Sequence, residues 1–73
     1  MNLGTLLHNK RMTLSLTQEQ IGNISGLAPA RISKLERGIT ESYAYEIRLL
    51  SKAYQLPFDE LQRAAELDGR MRR

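Results

Sequence analysis

Residues 18–38 read QEQIGNISGLAPARISKLERG, two helix-forming stretches separated by a glycine and a proline three positions apart. Gly26 stops the first stretch, because the left-handed backbone just past a helix end costs glycine little. Pro29 opens the second, since its fixed φ and missing N–H suit the first turn of a helix. Two short helices joined by a few residues with a Gly in the turn make a helix-turn-helix, which lets the second helix project into a DNA major groove. Gly22 falls where the two helices meet. A glycine inside a helix costs about 1 kcal/mol relative to alanine, so its place there predicts a close approach that a larger side chain would wedge apart. Leu27, Ile32 and Leu35 fall where they pack the pair onto a core.

On the N-terminal side, Leu3, Leu6, Leu7 and Arg11 recur at three- and four-residue steps and predict an amphipathic first helix. Thr17 followed by Gln20 forms a capping-box pattern, and Ile21 and Ile24 supply the apolar face of the second helix. Gly38 ends the third. Ser42 is positioned to cap a fourth helix with Ile47, Leu50 and Ala53 or Tyr54 inward, and Pro57 opens a fifth carrying Phe58, Leu61, Ala65 and Leu67. No alternating apolar-polar run predicts a strand. The expectation is an all-α, five-helix bundle with short loops, covering residues 1–69, with 70–73 (RMRR) as a basic C-terminal tail.

The chain has 73 residues, no cysteine and one histidine. It is one domain near the lower size limit for an unstapled core, since small domains bury only about 60% of their unfolded surface. Without cysteine there is neither a disulfide framework nor a thiolate metal site. His8 by itself supplies neither a zinc site nor a triad, so no enzyme, metal or cofactor is expected. Apolar runs are too short for a signal peptide or a membrane span, and a cytoplasmic location is expected. Met12 is read as covering core and His8 as a surface residue.

The net charge of +3 is unevenly spread. Up to residue 40, Lys10, Arg11, Arg31, Lys34 and Arg37 outweigh Glu19 and Glu36. From 41 to 69 acids outnumber bases, and Arg70, Arg72 and Arg73 follow. The basic field of the first half leans towards an anionic partner.

From about residue 10 to residue 61, without a gap, the chain resembles the Cro and phage-repressor (xenobiotic-response-element) family, through TQEQIG, ISKLERG and LLSKAYQLPFDEL. The resemblance implies a five-helix lambda-repressor-like domain acting as a transcriptional regulator, usually a homodimer on a palindromic double-stranded DNA operator. It places Thr17 and Gln18 at phosphate-clamping positions, and a helix N-terminus does offer free N–H groups to a phosphate. Positions that read base edges in the family fall on Pro29, Ala30, Arg31, Ser33 and Lys34. Of these, Arg31 and Lys34 can donate to guanine O6 and N7, while Ala30 can only touch a thymine methyl. Arg11 and Glu36 match a structural ion pair, and Arg37 lies beside the following loop, where it meets phosphate. That loop, ITES, lacks the Lys or Arg that relatives often carry.

Near YQLPFDEL the apolar residues exceed what so small an interior holds. At least one of Tyr54, Leu56 and Phe58 is therefore expected on the surface, at the symmetric contact between subunits. The expected function is a sequence-specific DNA-binding regulator, a repressor or a small phage, plasmid or restriction-modification controller. The rival is a protein-interaction module that keeps the fold and binds another regulator. The cations on the third helix favour DNA.

Overall fold

Five helices follow one another in the computed structural model, which describes residues 2–69 and the backbone of 71–72. They are α1 (Leu3–Leu14), α2 (Gln18–Ser25), α3 (Pro29–Arg37), α4 (Ala44–Tyr54) and α5 (Phe58–Leu67). Local chemistry sets most of the boundaries. The Asn2 side chain accepts from Thr5 N at 2.8 Å and caps α1. Thr17 Oγ1 accepts from Gln20 N at 3.0 Å while Gln20 Oε1 accepts from Thr17 N at 2.8 Å, a reciprocal box that starts α2. Gly26 at φ 81° and Gly38 at φ 71° terminate α2 and α3 in the left-handed conformation. Pro29 opens α3 with no side-chain cap before it.

The start of α4 differs from expectation. Its N-cap is Tyr43, whose N–H donates to Glu46 Oε1 at 2.8 Å. Ser42 is instead fully buried. It belongs to a two-residue strand, β1 (Ser42–Tyr43), that pairs in parallel with β2 (Met71–Arg72), a feature too short to leave an alternating pattern in the sequence. Of the basic tail expected at 70–73, the side chains of residues 71 and 72, and all of Arg70 and Arg73, lie outside the described residues.

The core is built from Leu3 and Leu7 of α1, Ile21 of α2, Ile32 and Leu35 of α3, Ile47, Leu50, Ala53 and Tyr54 of α4, and Leu61, Ala64 and Ala65 of α5. Three apolar residues expected to join it do not: Met12 is 57% exposed, Ile24 58% and Leu67 80%. Helix geometry explains each. A step of about 100° per residue turns Met12 away from Leu7 and Leu67 away from Ala65. On α2 the small Ser25, one turn on from Ile21, takes the inward place that Ile24 would need.

Two glycines let helices touch. A Cβ on Gly22 would lie 2.7 Å from the Leu27 carbonyl oxygen, so the helix-turn-helix corner closes only around a hydrogen atom. A Cβ on Gly4 would stand 2.6 Å from the Glu36 carbonyl oxygen and 2.9 Å from that of Leu35, where α1 crosses the end of α3. Gly4→Ala is expected to lower the melting temperature by several degrees. Overpacking costs about 1–3 kcal/mol, whereas alanine's helix preference returns about 1 kcal/mol. Thermal unfolding followed by circular dichroism checks it, and an unchanged or higher melting temperature would show that α1 can slide.

Candidate nucleic-acid interface

One buried carboxylate ties α3 to α1, α2 and α4. Glu36, on the last turn of α3, has a side chain only 2% exposed. Arg11 Nε donates to its Oε2 at 2.8 Å and Arg11 Nη2 to its Oε1 at 3.0 Å, while Nη1 donates to the Leu16 carbonyl at 2.9 Å. The Tyr54 hydroxyl donates to Oε2 at 2.6 Å, and Gln18 Nε2 to Oε1 at 3.3 Å. His8 Nδ1 lies 3.3 Å from the same Oε1, with the imidazole half exposed. Burial pushes the Glu36 carboxyl up, but hydrogen bonds from Arg11, Tyr54, Gln18 and His8 outweigh it and hold the group below the ordinary glutamate range. Burial, together with its bond to Glu36, pushes the Tyr54 hydroxyl far up, so Tyr54 remains a donor. The structure thus brings Arg11 and Glu36 together and attaches Gln18, at the start of α2, to the same group.

Tyr54 is fully buried, so its expected place at a subunit contact is corrected: its ring fills the core and its hydroxyl completes the Glu36 site. Leu56 and Phe58 are half-buried and packed against the core. The Phe58 ring is covered by the Arg48 guanidinium at 5.2 Å.

Arg31 requires a second correction. Expected to read a base, it turns its donors onto the protein itself. Nε donates to Glu46 Oε2 and Nη2 to Glu46 Oε1, both at 2.8 Å. Nη1 donates to Thr40 Oγ1 at 3.0 Å and Nη2 also to the Glu41 carbonyl at 2.7 Å. The Arg31 Cζ lies 5.6 Å from the Tyr43 ring centroid. A base contact would leave Glu46, with a side chain 2% exposed, as an uncompensated buried charge. Sequence reasoning missed Glu46, which nothing in the pattern tied to an arginine fifteen positions upstream.

What remains on the open side of α3 is small and basic. Ala28, Pro29, Ala30, Lys34 and Arg37 are exposed and Ser33 is half-buried, while Ile32, Leu35 and Glu36 face inward. Arg37 Nε lies 3.4 Å from the Ser33 carbonyl. At the start of α2, Thr17 is exposed with its hydroxyl oxygen engaged in the cap. Among the described residues no group of three or more His, Cys, Asp or Glu could hold a metal. No helix among them is long and apolar enough to cross a membrane.

Comparison with known proteins matches this arrangement. The helix-turn-helix family model covers residues 7–61. The P22 c2 repressor, crystallised in complex with a synthetic operator, superposes with a TM-score of 0.80 at 30% identity, over 88% of this chain and 97% of that one. The restriction-modification controller protein C.AhdI from Aeromonas hydrophila gives 0.76 at 29% identity, over 81% and 89%. The clp gene regulator ClgR from C. glutamicum shares the fold at 0.74 and 23% identity, over 88% and 83%. No curated protein matches in sequence. The chain belongs to the helix-turn-helix family of Cro/C1 type and is an all-α, non-enzymatic DNA-binding transcription regulator with the lambda-repressor-like fold.

Proposed function

We propose that the protein is a repressor or small controller of the phage, plasmid or restriction-modification type, that it binds a palindromic operator as a homodimer, and that each copy reads the major groove through Lys34, Ser33 and Ala30. The open face of α3 carries the reading: Lys34 and Ala30 are exposed on the helix whose opposite face locks into the core. A lysine there donates to guanine O6 or N7, a serine to either type of base edge, and an alanine packs on a thymine methyl, with a good contact worth about 1–3 kcal/mol of discrimination. Thr17 and Gln18 present the N-terminus of α2 to a phosphate, and Arg37 meets another. The likeness to a repressor held on a synthetic operator supports the same docking. Leu56, in the turn before α5, and Phe58, its first residue, both half-buried, are the proposed subunit contact. A two-fold contact there would set the two α3 helices about 34 Å apart, one turn of DNA.

Selection of bound sites from a random oligonucleotide pool tests this. The expected product is a pair of half-sites related by a dyad, with sedimentation showing two copies per operator and weaker assembly for Leu56→Glu and Phe58→Glu. A single half-site bound by a monomer without cooperativity would overturn the dimer. Arg37→Ala is expected to weaken binding to all sequences alike and to reduce the slope of log affinity against log salt by about 0.9, the value for a single phosphate. Titrations at several salt concentrations check it, and a loss confined to one base pair would assign Arg37 a reading role.

A further inference from the structure

Two large aromatic side chains stand on the surface beside α3. Tyr43 is 45% exposed and Tyr45 63%. Their rings stack, with centroids 5.9 Å apart and planes 20° from parallel, and the Tyr43 centroid lies 5.6 Å from Arg31 Cζ. Single apolar residues scattered over a surface are ordinary, but a paired aromatic patch marks a contact site. The core has no use for this pair: the inward residues of α4 are Glu46, Ile47, Leu50, Ala53 and Tyr54.

The patch continues the open face of α3. Arg31, which the Tyr43 ring adjoins, and Lys34 are neighbours one helical turn apart on that helix. From Lys34 the surface therefore runs across Arg31 to Tyr43 and Tyr45. Along this rim few side chains can donate to a phosphate. Residues 39–42, ITES, contain no cation. The Thr40 hydroxyl accepts from Arg31 and lies 3.4 Å from the Glu41 carbonyl, Ser42 is fully buried, and Arg31 is committed to Glu46. The phenol hydroxyls of Tyr43 and Tyr45 are the exposed side-chain donors that remain between residues 39 and 45.

We infer that Tyr43 and Tyr45 form an uncharged anchor on the DNA backbone: with α3 in the major groove, their hydroxyls donate to phosphates at the edge of the half-site. Tyrosine is among the side chains that hydrogen-bond phosphate oxygens, and a bond to an ionised acceptor is stronger than one between neutral groups. Stacking and the contact with Arg31 hold the rings before DNA arrives, which lowers the ordering cost of binding. Such an anchor fixes the position of α3 on the duplex without reading sequence. The inference rests on the docking of α3 proposed above.

The double variant Tyr43→Phe, Tyr45→Phe tests it on the full chain, because it keeps both rings, their stack and the contact with Arg31 and removes only the hydroxyls. It is compared with wild type by thermal unfolding, by sedimentation without DNA, and by binding to the selected operator and to an unrelated duplex over a range of salt. The melting temperature and the oligomeric state should not change. Binding to both duplexes should weaken about tenfold or more, the effect of losing a hydrogen bond to a charged group. The slope of log affinity against log salt should keep its wild-type value, since a neutral donor releases no counterion; Arg37→Ala differs in lowering it. Ethylation interference on the operator should reveal, for wild type, a phosphate at the edge of each half-site whose modification blocks binding, and for the variant no effect there. Wild-type affinity in the double variant, or an unchanged interference pattern, would overturn the inference. Weaker self-association without DNA would also overturn it, by making the pair a contact with a second copy. A wild type that binds no duplex at all would refute the docking of α3 itself, whereas a wild type whose base preference depends on Lys34, beside an unaltered double variant, would refute the tyrosine anchor alone.

Discussion

Glu36→Ala is expected to lower the melting temperature by more than ten degrees and to weaken DNA binding in whatever fraction stays folded. The substitution leaves the Arg11 side chain, 11% exposed, without its counter-charge and strands the buried Tyr54 hydroxyl. Removing one partner of a buried pair costs about 3–5 kcal/mol, and each kcal/mol moves a domain of this size by about 4–8 °C. Gln18 also loses its acceptor, so the start of α2 loses a tether to α3. Acid should act on the same group. The Glu36 carboxyl titrates below its unfolded value, so its contribution is complete above the ordinary glutamate range and is lost as pH falls through the lower folded value. Melting curves across the acid range check both statements: the wild type should lose stability on acidification more steeply than Glu36→Ala. Equal melting temperatures at neutral pH would make the network ornamental.

Arg31→Ala is expected to destabilise on a comparable scale, with an effect on DNA that follows folding. Arg31 joins the N-terminal half of α3 to the first turn of α4 through Glu46, and to the intervening loop through Thr40 and the Glu41 carbonyl. Without it, Glu46 keeps the Tyr43 N–H but loses its cation. The penalty of an unpaired buried charge, about 3–5 kcal/mol, falls where α4 begins. Arg31→Lys should recover only part, since one ammonium cannot span both carboxylate oxygens and the loop as the planar guanidinium does. Chemical denaturation of the three forms measures this ranking, and a stable Arg31→Ala would return the residue to the DNA-reading face.

The helices were legible in the sequence because their signals are local. Thr17 with Gln20, Gly26, Pro29, Gly38 and Pro57 each act within a turn of where they stand, and the apolar spacing around Leu7, Ile21, Ile32 and Leu35 reports one face of one helix. What the sequence hid depends on partners far apart in the chain. Gly4 looks like any glycine until α1 is laid across the end of α3. Arg31 is indistinguishable from a base reader until Glu46 arrives from the next helix, and Tyr54 from a surface aromatic until its hydroxyl meets Glu36. The reverse error has the same origin. Ile24, Met12 and Leu67 fit helical periodicity loosely, but short helices give few inward places, and Ser25 and the alanines of α5 fill them.

On this reading α3 meets DNA with Lys34 and its small neighbours while Arg31 holds the helix in place. The measurement that bears on it most directly is the base preference of wild type, Lys34→Ala and Arg31→Ala, each selected from the same random pool at a temperature where all three are folded. Lys34→Ala is expected to flatten preference at one base pair in each half-site, costing about 1–3 kcal/mol on the best site, whereas Arg31→Ala should keep the wild-type profile position for position. Loss of a base preference in Arg31→Ala, with the Lys34→Ala profile unchanged, would contradict it.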